Sequence, residues 1–345
     1  MKRRRGAGVA RSSATLLLGT TLLAAGCAVL GDPDPPRGVV PCCAGGSGEL
    51  SLTYLGVGGW LIEWRGSRIL TAPFYTNPSS TRVAFGQITS DTALVERLLP
   101  PVEDVEAILV GHAHYDHLMD VPYIARQRAP RATVYGSATT RNLLAAVLDT
   151  ARVSALNPVA GTPERPGRWI PLANGRMRMM AIETRHAPHF PMVELFEGTV
   201  DTALTTLPPR ADGWKGGVAY AFLLDFLDAE GRVAHRIHYQ DLASTEPWGL
   251  VPPLPPEDRA PVDAIIVCPP SFDHVERYPE AIVENTRPEH VFLGHWEDFF
   301  DPPTPEPRSV PLTDLGAFIR RLEAVLPPGS TWTRPLPGER FDLGG

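Results

Sequence analysis

Residues 105 to 120 read V-E-A-I-L-V-G-H-A-H-Y-D-H-L-M-D. An apolar run through Val110 suits a strand covered on both faces, yet it leads at once into His112, His114, Asp116 and His117. Polar groups of this kind are costly beside a domain interior unless something binds them. Imidazole and carboxylate are the ligands that suit zinc and similar divalent ions. A lone histidine at a strand end is usually just hydrogen-bonded. Four candidate ligands within six positions, where the chain must turn, point to a metal site instead.

Upstream, L-S-L-T-Y-L, W-L-I-E-W and R-I-L-T, the last two separated by an R-G-S turn, predict consecutive antiparallel strands. A strand over 104–110 follows. Residues 119–127 and 137–148 have helical spacing around a short A-T-V-Y strand. The order then repeats: R-M-R-M-M-A-I-E, G-V-A-Y-A-F-L-L-D-F, V-A-H-R-I-H-Y and D-A-I-I-V-C are strands, 275–284 a helix, H-V-F-L a strand and 312–326 a helix. Strands followed by helices, twice over, predict an α/β protein with two packed sheets and helices outside them. Residues 188–216 lack periodicity and are long for a connection, which predicts a functional lid in preference to a disordered insert. Its H-F-P-M-V-E-L-F stretch offers apolar groups that would grip an acyl chain.

The H-x-H-x-D-H pattern resembles the signature of the metallo-β-lactamase superfamily. Later strand ends supply the remaining parts in the family's order: His186 in A-I-E-T-R-H, Asp241 in R-I-H-Y-Q-D and His295 in V-F-L-G-H-W. The resemblance spans roughly residues 50 to 300 and implies a four-layer αββα sandwich. It implies that His112, His114 and His186 hold one divalent ion and Asp116, His117 and His295 a second, with Asp241 bridging. It further implies a metal-dependent hydrolase in which a bridging hydroxide is the nucleophile, oriented by Asp116, since water between two such ions has its pKa lowered toward about 7. His114 stands where the diiron redox branch has glutamate, which favours zinc and hydrolysis. Mn2+ or Fe2+ would also suit these ligands.

The stretch T-Y-L-G-V-G-G-W through T-A-P-F, residues 53–74, resembles the branch containing ascorbate-6-phosphate lactonase and N-acylphosphatidylethanolamine-hydrolysing phospholipase D. Those relatives commonly read T-D-P where this chain has Thr71-Ala72-Pro73. A carboxylate expected near the ligands is therefore missing. The implied substrate is a small or lipid-like molecule with a phosphodiester, ester, lactone or amide bond.

The N-terminus carries a basic M-K-R-R-R, an apolar stretch over 14–25 too short to span a bilayer, and L-A-A-G-C ending at Cys27. This resembles the lipobox of bacterial lipoproteins and implies a diacylated Cys27 holding the protein to a membrane of the cell envelope. An ordinary secretory signal is the alternative, and either means export. The expected organisation is a signal peptide over 1–26, a Pro/Gly-rich tether over 27–48 and a catalytic domain over 49–345. Removing 1–26 deletes Lys2, Arg3, Arg4, Arg5 and Arg11 and takes the formal charge from −7 to −12. An acidic chain without a Lys/Arg cluster is a poor nucleic-acid partner. Cys42 and Cys43 are adjacent and Cys268 is isolated, which makes no disulfide framework. Nothing in the pattern sets an oligomeric state.

Several residues keep two readings. His189 competes with His186 as third histidine ligand. His235 and His238 alternate with apolar residues on a strand and suit surface or hydrogen-bonded roles. Asp273 and His274 fit a proton shuttle or a helix N-cap beside an exposed histidine. Trp296, Phe299 and Phe300 fit a pocket wall or plain core. A metal-binding envelope lipoprotein without catalysis, a diiron redox protein and a metal-free scaffold stand beside the hydrolase.

Overall fold

The structure, a computed structural model, describes residues 37–38 and 49–344. The segment 1–26 expected to be a signal peptide, and Cys27, Cys42 and Cys43, lie outside the described residues. Within the stretch read as a tether, Arg37 and Gly38 pair with the domain: the Arg334 N–H donates to Arg37 O, and Gly38 bridges antiparallel to Thr333.

Among the described residues the strands are β1 (Leu50–Gly56), β2 (Gly59–Trp64), β3 (Ser67–Thr71), β4 (Ala107–Leu109), β5 (Thr133–Gly136), β6 (Val153–Ala155), β7 (Ile170–Leu172), β8 (Met177–Thr184), β9 (Ala219–Leu227), β10 (Val233–Tyr239), β11 (Ala264–Val267), β12 (His290–Leu293), β13 (Thr331–Thr333) and β14 (Arg340–Leu343). They form two seven-stranded sheets, ordered β14-β1-β2-β3-β4-β5-β6 and β13-β12-β11-β10-β9-β8-β7. Each sheet is antiparallel on one side and parallel on the other: β14 through β3 and β7 through β10 are antiparallel, whereas β3 through β6 and β10 through β13 are parallel.

Alternation along the strands builds the layers. Leu52, Ile62, Ile69 and Leu109 join Phe222, Leu224, Ile237 and Phe292 in the core between the sheets. Their neighbours Leu61, Leu70, Ile108 and Val110 face the other way, into a second core shared with Val95, Leu118, Leu143 and Leu144. Those four lie on α1 (Ser80–Phe85) through α5, specifically on α2 (Thr92–Leu98), α3 (Tyr115–Leu118) and α5 (Ala138–Leu144), with α4 (Val121–Tyr123) between. On the far side α6 (Glu280–Thr286) and α7 (Leu315–Val325) contribute Ile282, Val283, Phe318, Ile319 and Leu322. The αββα sandwich follows. Trp60 and Phe292 meet edge to face across the sheets with centroids 5.5 Å apart, and large side chains buried this way contribute about 1.5–3 kcal/mol each.

Three expectations need correction. Residues 119–127 are not one helix: α3 ends at Leu118, α4 has Pro122 in its first turn, and a π-turn covers Ile124–Arg128. The chain is broken there because Asp120, fully buried, accepts from Tyr75 N at 2.7 Å, Thr76 N at 3.0 Å, Ser90 Oγ at 2.6 Å and the Thr76 hydroxyl. Residues 275–284 hold only the start of α6, since Pro279 keeps the preceding residue out of helical geometry. Asp273 caps nothing: the turn Phe272–His274 is preceded by Ser271 in a left-handed conformation, φ 59°.

Candidate metal centre

The seven predicted side chains all follow strand ends: His112 to His117 after β4, His186 after β8, Asp241 after β10 and His295 after β12. Those ends belong to both sheets and meet at one rim; β4, β10 and β12 reach it with their C-terminal ends beside parallel neighbours, the usual ligand-binding edge, and β8 reaches it from the antiparallel side. Tyr220 N donates to Gly111 O at 2.8 Å and Ala113 N to Gly216 O at 2.9 Å, which stitches the first turn to the opposite sheet. His114 O accepts from His117 N and Leu118 N, so the H-x-H stretch is extended and Asp116 and His117 sit on the first turn of α3. His295 is left-handed, φ 52°, and its N–H is shared between Val57 O at 2.8 Å and Tyr54 Oη at 3.0 Å.

Three groups of ligand atoms converge to within 4.8 Å: His112, His114 and His186; Asp116, His117 and His295; and His112, His117 and Asp241. The third takes one member from each of the others, with Asp241 Oδ1 3.4 Å from His112 Nδ1 and Oδ2 3.2 Å from His117 Nδ1. Asp116 Oδ2 lies 3.3 Å from His295 Nε2 and 3.4 Å from His117 Nε2. His186 Nδ1 donates to Ala187 O at 2.6 Å, which fixes its tautomer and leaves Nε2 as the free lone pair.

Burial holds the pKa of His112, His114 and His186 below the ordinary imidazole value, so these rings are neutral near pH 7 and offer lone pairs. At Asp241 burial pushes upward, but His117 and His112 outweigh it and keep the carboxyl well below the usual range. Asp116 is likewise held low, burial being outweighed first by His117 and then by His295. The centre thus combines ionised carboxylates with buried rings. His112 Nε2, His114 Nε2 and His295 Nδ1 are sealed from solvent with no hydrogen-bond partner, and His117 Nδ1, equally sealed, faces Asp241 Oδ2 at 3.2 Å. Unpaired buried nitrogens cost about 1–3 kcal/mol each; divalent ions held by this donor set would satisfy ring lone pairs of the cluster. The residues present fit divalent ions.

Backbone close approach shapes the centre. A Cβ on Gly111 would stand 2.4 Å from Asp241 Oδ1, and one on Gly216 2.9 Å from His114 Nε2. Ala72, the His117 ring and the Tyr239 hydroxyl surround Gly58. The polar group there is thus Tyr239, which donates to Gly58 O at 2.7 Å and lies 3.3 Å from Asp241 Oδ2. Sequence reasoning missed Tyr239, Asp120 and Glu297. Buried Glu297 accepts from the Tyr54 hydroxyl and the Val57 N–H, and so supports the backbone that holds His295. An acidic residue two positions beyond a ligand was the available signal.

The other candidates sort by position. His189 stacks on His186 and belongs to none of the converging groups. His238 is fully buried and bonded to Gly249 O at 2.8 Å, while His235 lies 3.8 Å from Asp263. His274 donates from Nδ1 to Pro188 O at 2.7 Å. Trp296 is core, its Nε1 donating to Pro335 O. Phe299 packs edge-on against His295, with Phe300 beside it, and Phe196 from the 188–216 segment packs against His114 and Tyr115.

Residues 68–200 match the Beta-lactamase superfamily domain. This domain segment carries His112, His114, Asp116, His117 and His186; Asp241 and His295 come from the chain beyond it. No curated protein sequence matches significantly. Among solved structures, Igni18, a metallo hydrolase from the archaeon Ignicoccus hospitalis, is similar at 16% identity and TM-score 0.49, over 86% of this chain and 99% of that one. The metallo-β-lactamase fold protein YhfI from Bacillus subtilis is similar at 14% identity and TM-score 0.46, over 85% and 99%. CmlA, a diiron β-hydroxylase from Streptomyces venezuelae, is similar at 14% identity and TM-score 0.47, over 86% of this chain and 55% of its own.

Proposed function

We propose that the chain is a metal-dependent hydrolase whose seven converging side chains hold two zinc ions, acting on a phosphodiester or a related ester, lactone or amide. The observation that carries this reading is the set of buried, partnerless ring nitrogens interleaved with two ionised carboxylates. Two divalent ions bound there would lower the pKa of a shared water toward about 7 and polarise the substrate oxygen. His112, His114 and His186 would hold one ion, Asp116, His117 and His295 the other, with Asp241 between them. Asp116, fixed beside His295 and His117, orients the attacking water. Phe196 and Phe299 flank the centre on its His114 and His295 sides and exclude bulk water from it. The branch resemblance and the N-terminal lipobox support a phospholipid-like substrate at the cell envelope, with the protein held through lipid on Cys27.

The test is turnover of bis(4-nitrophenyl) phosphate and an ester panel by the zinc-loaded chain. His112→Ala and Asp116→Ala should each abolish nearly all hydrolysis, and retained turnover would overturn the reading. Ala72 in place of the branch's aspartate favours one second reading: a metal-binding envelope lipoprotein without catalysis, which would take up zinc and hydrolyse none of the panel.

A further inference from the structure

The root of the 188–216 segment carries a histidine that the metal centre leaves out. The His189 ring stacks on His186 with centroids 4.6 Å apart and planes at 14°, and lies 5.6 Å from the His114 ring. It therefore stands at the rim of the cluster, on the side of the three-histidine group. Its Nδ1 accepts the Leu195 backbone N–H at 3.1 Å. A ring nitrogen that accepts from an amide carries no proton, so the neutral imidazole keeps its hydrogen on Nε2.

That Nε2 makes no hydrogen bond to protein, and unlike His112 Nε2 and His114 Nε2 it is not sealed from solvent. The donor is also held in place. Pro188 O receives His274 Nδ1–H, Phe190 and Val193 exchange backbone bonds of 3.1 and 2.8 Å, and Phe196 packs edge-on against His189 at 6.3 Å. A ring that served only to pack against His186 would need neither a fixed tautomer nor an open donor.

We propose that His189 is a catalytic residue that donates its Nε2–H to an oxygen of the scissile phosphoryl or acyl group, on the His114/His186 side of the centre. This rests on the hydrolase reading above. No proton is transferred: the hydrogen bond strengthens as negative charge builds on that oxygen and relaxes as product leaves. Removing one such donor typically costs on the order of 10²-fold in kcat.

The experiment compares His189→Ala, His189→Gln and His186→Ala in the full chain, reading zinc content, phosphate affinity by calorimetry and hydrolysis of bis(4-nitrophenyl) phosphate. His189→Ala should keep the parent's zinc content, bind inorganic phosphate about tenfold more weakly and lose about 100-fold in kcat with little change in KM. His189→Gln should recover part of both losses, because its amide oxygen accepts from Leu195 N while its NH2 donates. His186→Ala should lose zinc. A fall in zinc content in His189→Ala would make His189 a ligand and overturn the proposal, as would phosphate affinity and turnover equal to the parent's. If the parent hydrolyses nothing while phosphate affinity still depends on His189, the hydrolase reading fails and the donor stands.

Discussion

Gly111 lies so close to Asp241 that a Cβ placed on it would stand 2.4 Å from one carboxylate oxygen and 2.6 Å from the other. Any side chain there must displace the carboxylate set between His112 and His117. Gly111→Ala is therefore expected to cost about 1–3 kcal/mol by overpacking and to lower zinc content well below the parent's. Elemental analysis with a denaturation curve reads both. Full zinc occupancy in this variant would show that Asp241 is not a ligand.

Glu297 acts on the centre through Tyr54 and the backbone of residue 57. Glu297→Ala leaves the buried Val57 N–H without its acceptor, at about 1–3 kcal/mol, and leaves the Tyr54 hydroxyl with Val57 O at 3.3 Å. His295 loses its support. Metal affinity should fall by roughly 10–100-fold, the range for partners that orient ligands, whereas Glu297→Gln, which keeps an acceptor oxygen, should fall less. Competition with a chromogenic chelator measures the difference.

Acid should destabilise the protein partly through histidines away from the centre. Burial lowers the pKa of His238 and of His290 to about 4. The unfolded rings titrate near 6.5, so between about pH 6.5 and 4 the unfolded chain binds more protons than the folded one. Stability from these rings is complete above about pH 6.5 and is lost as pH falls toward 4, by roughly 3 kcal/mol for His238. His238→Gln keeps a donor for Gly249 O and removes the titrating ring. Denaturant midpoints between pH 7 and 4.5 should then fall less steeply than the parent's.

Zinc should stabilise the fold as well as activate it. Free zinc at a hundredfold excess over its Kd adds about 2.7 kcal/mol by mass action, which scanning calorimetry would read as a rise of several degrees in Tm, reversed by a chelator. His112→Ala should show little of this rise.

The first sheet's hairpins and the 112–117 cluster were legible because both are local. Alternation in L-S-L-T-Y-L and W-L-I-E-W fixes which faces are buried, and four candidate ligands in six positions need no tertiary information. Strands β6, β7, β13 and β14 escaped notice because three or four residues carry no usable period, and their pairing with distant strands defines them. His186, Asp241 and His295 were reached only through the order of a family pattern. Nothing in their own neighbourhoods distinguishes His186 from His189; the structure does so by turning His189 Nδ1 toward Leu195 N. The roles of Asp120, Tyr239 and Glu297 were missed because main partners of each are distant in the chain: Tyr75 for Asp120, Gly58 for Tyr239 and Tyr54 for Glu297.

The dispersal of the centre over the ends of four strands makes it a late product of synthesis. A ribosome that has released the chain through His186, just beyond β8, has delivered five of the seven groups, yet Asp241 and His295 wait for the ends of β10 and β12, and their neighbours Gly58 and Tyr54 wait with them. A half-made chain can offer a metal ion only an incomplete set of these groups. Occupancy of both positions would accordingly certify that the two sheets have closed on one another, and the metal would mark finished molecules apart from stalled ones.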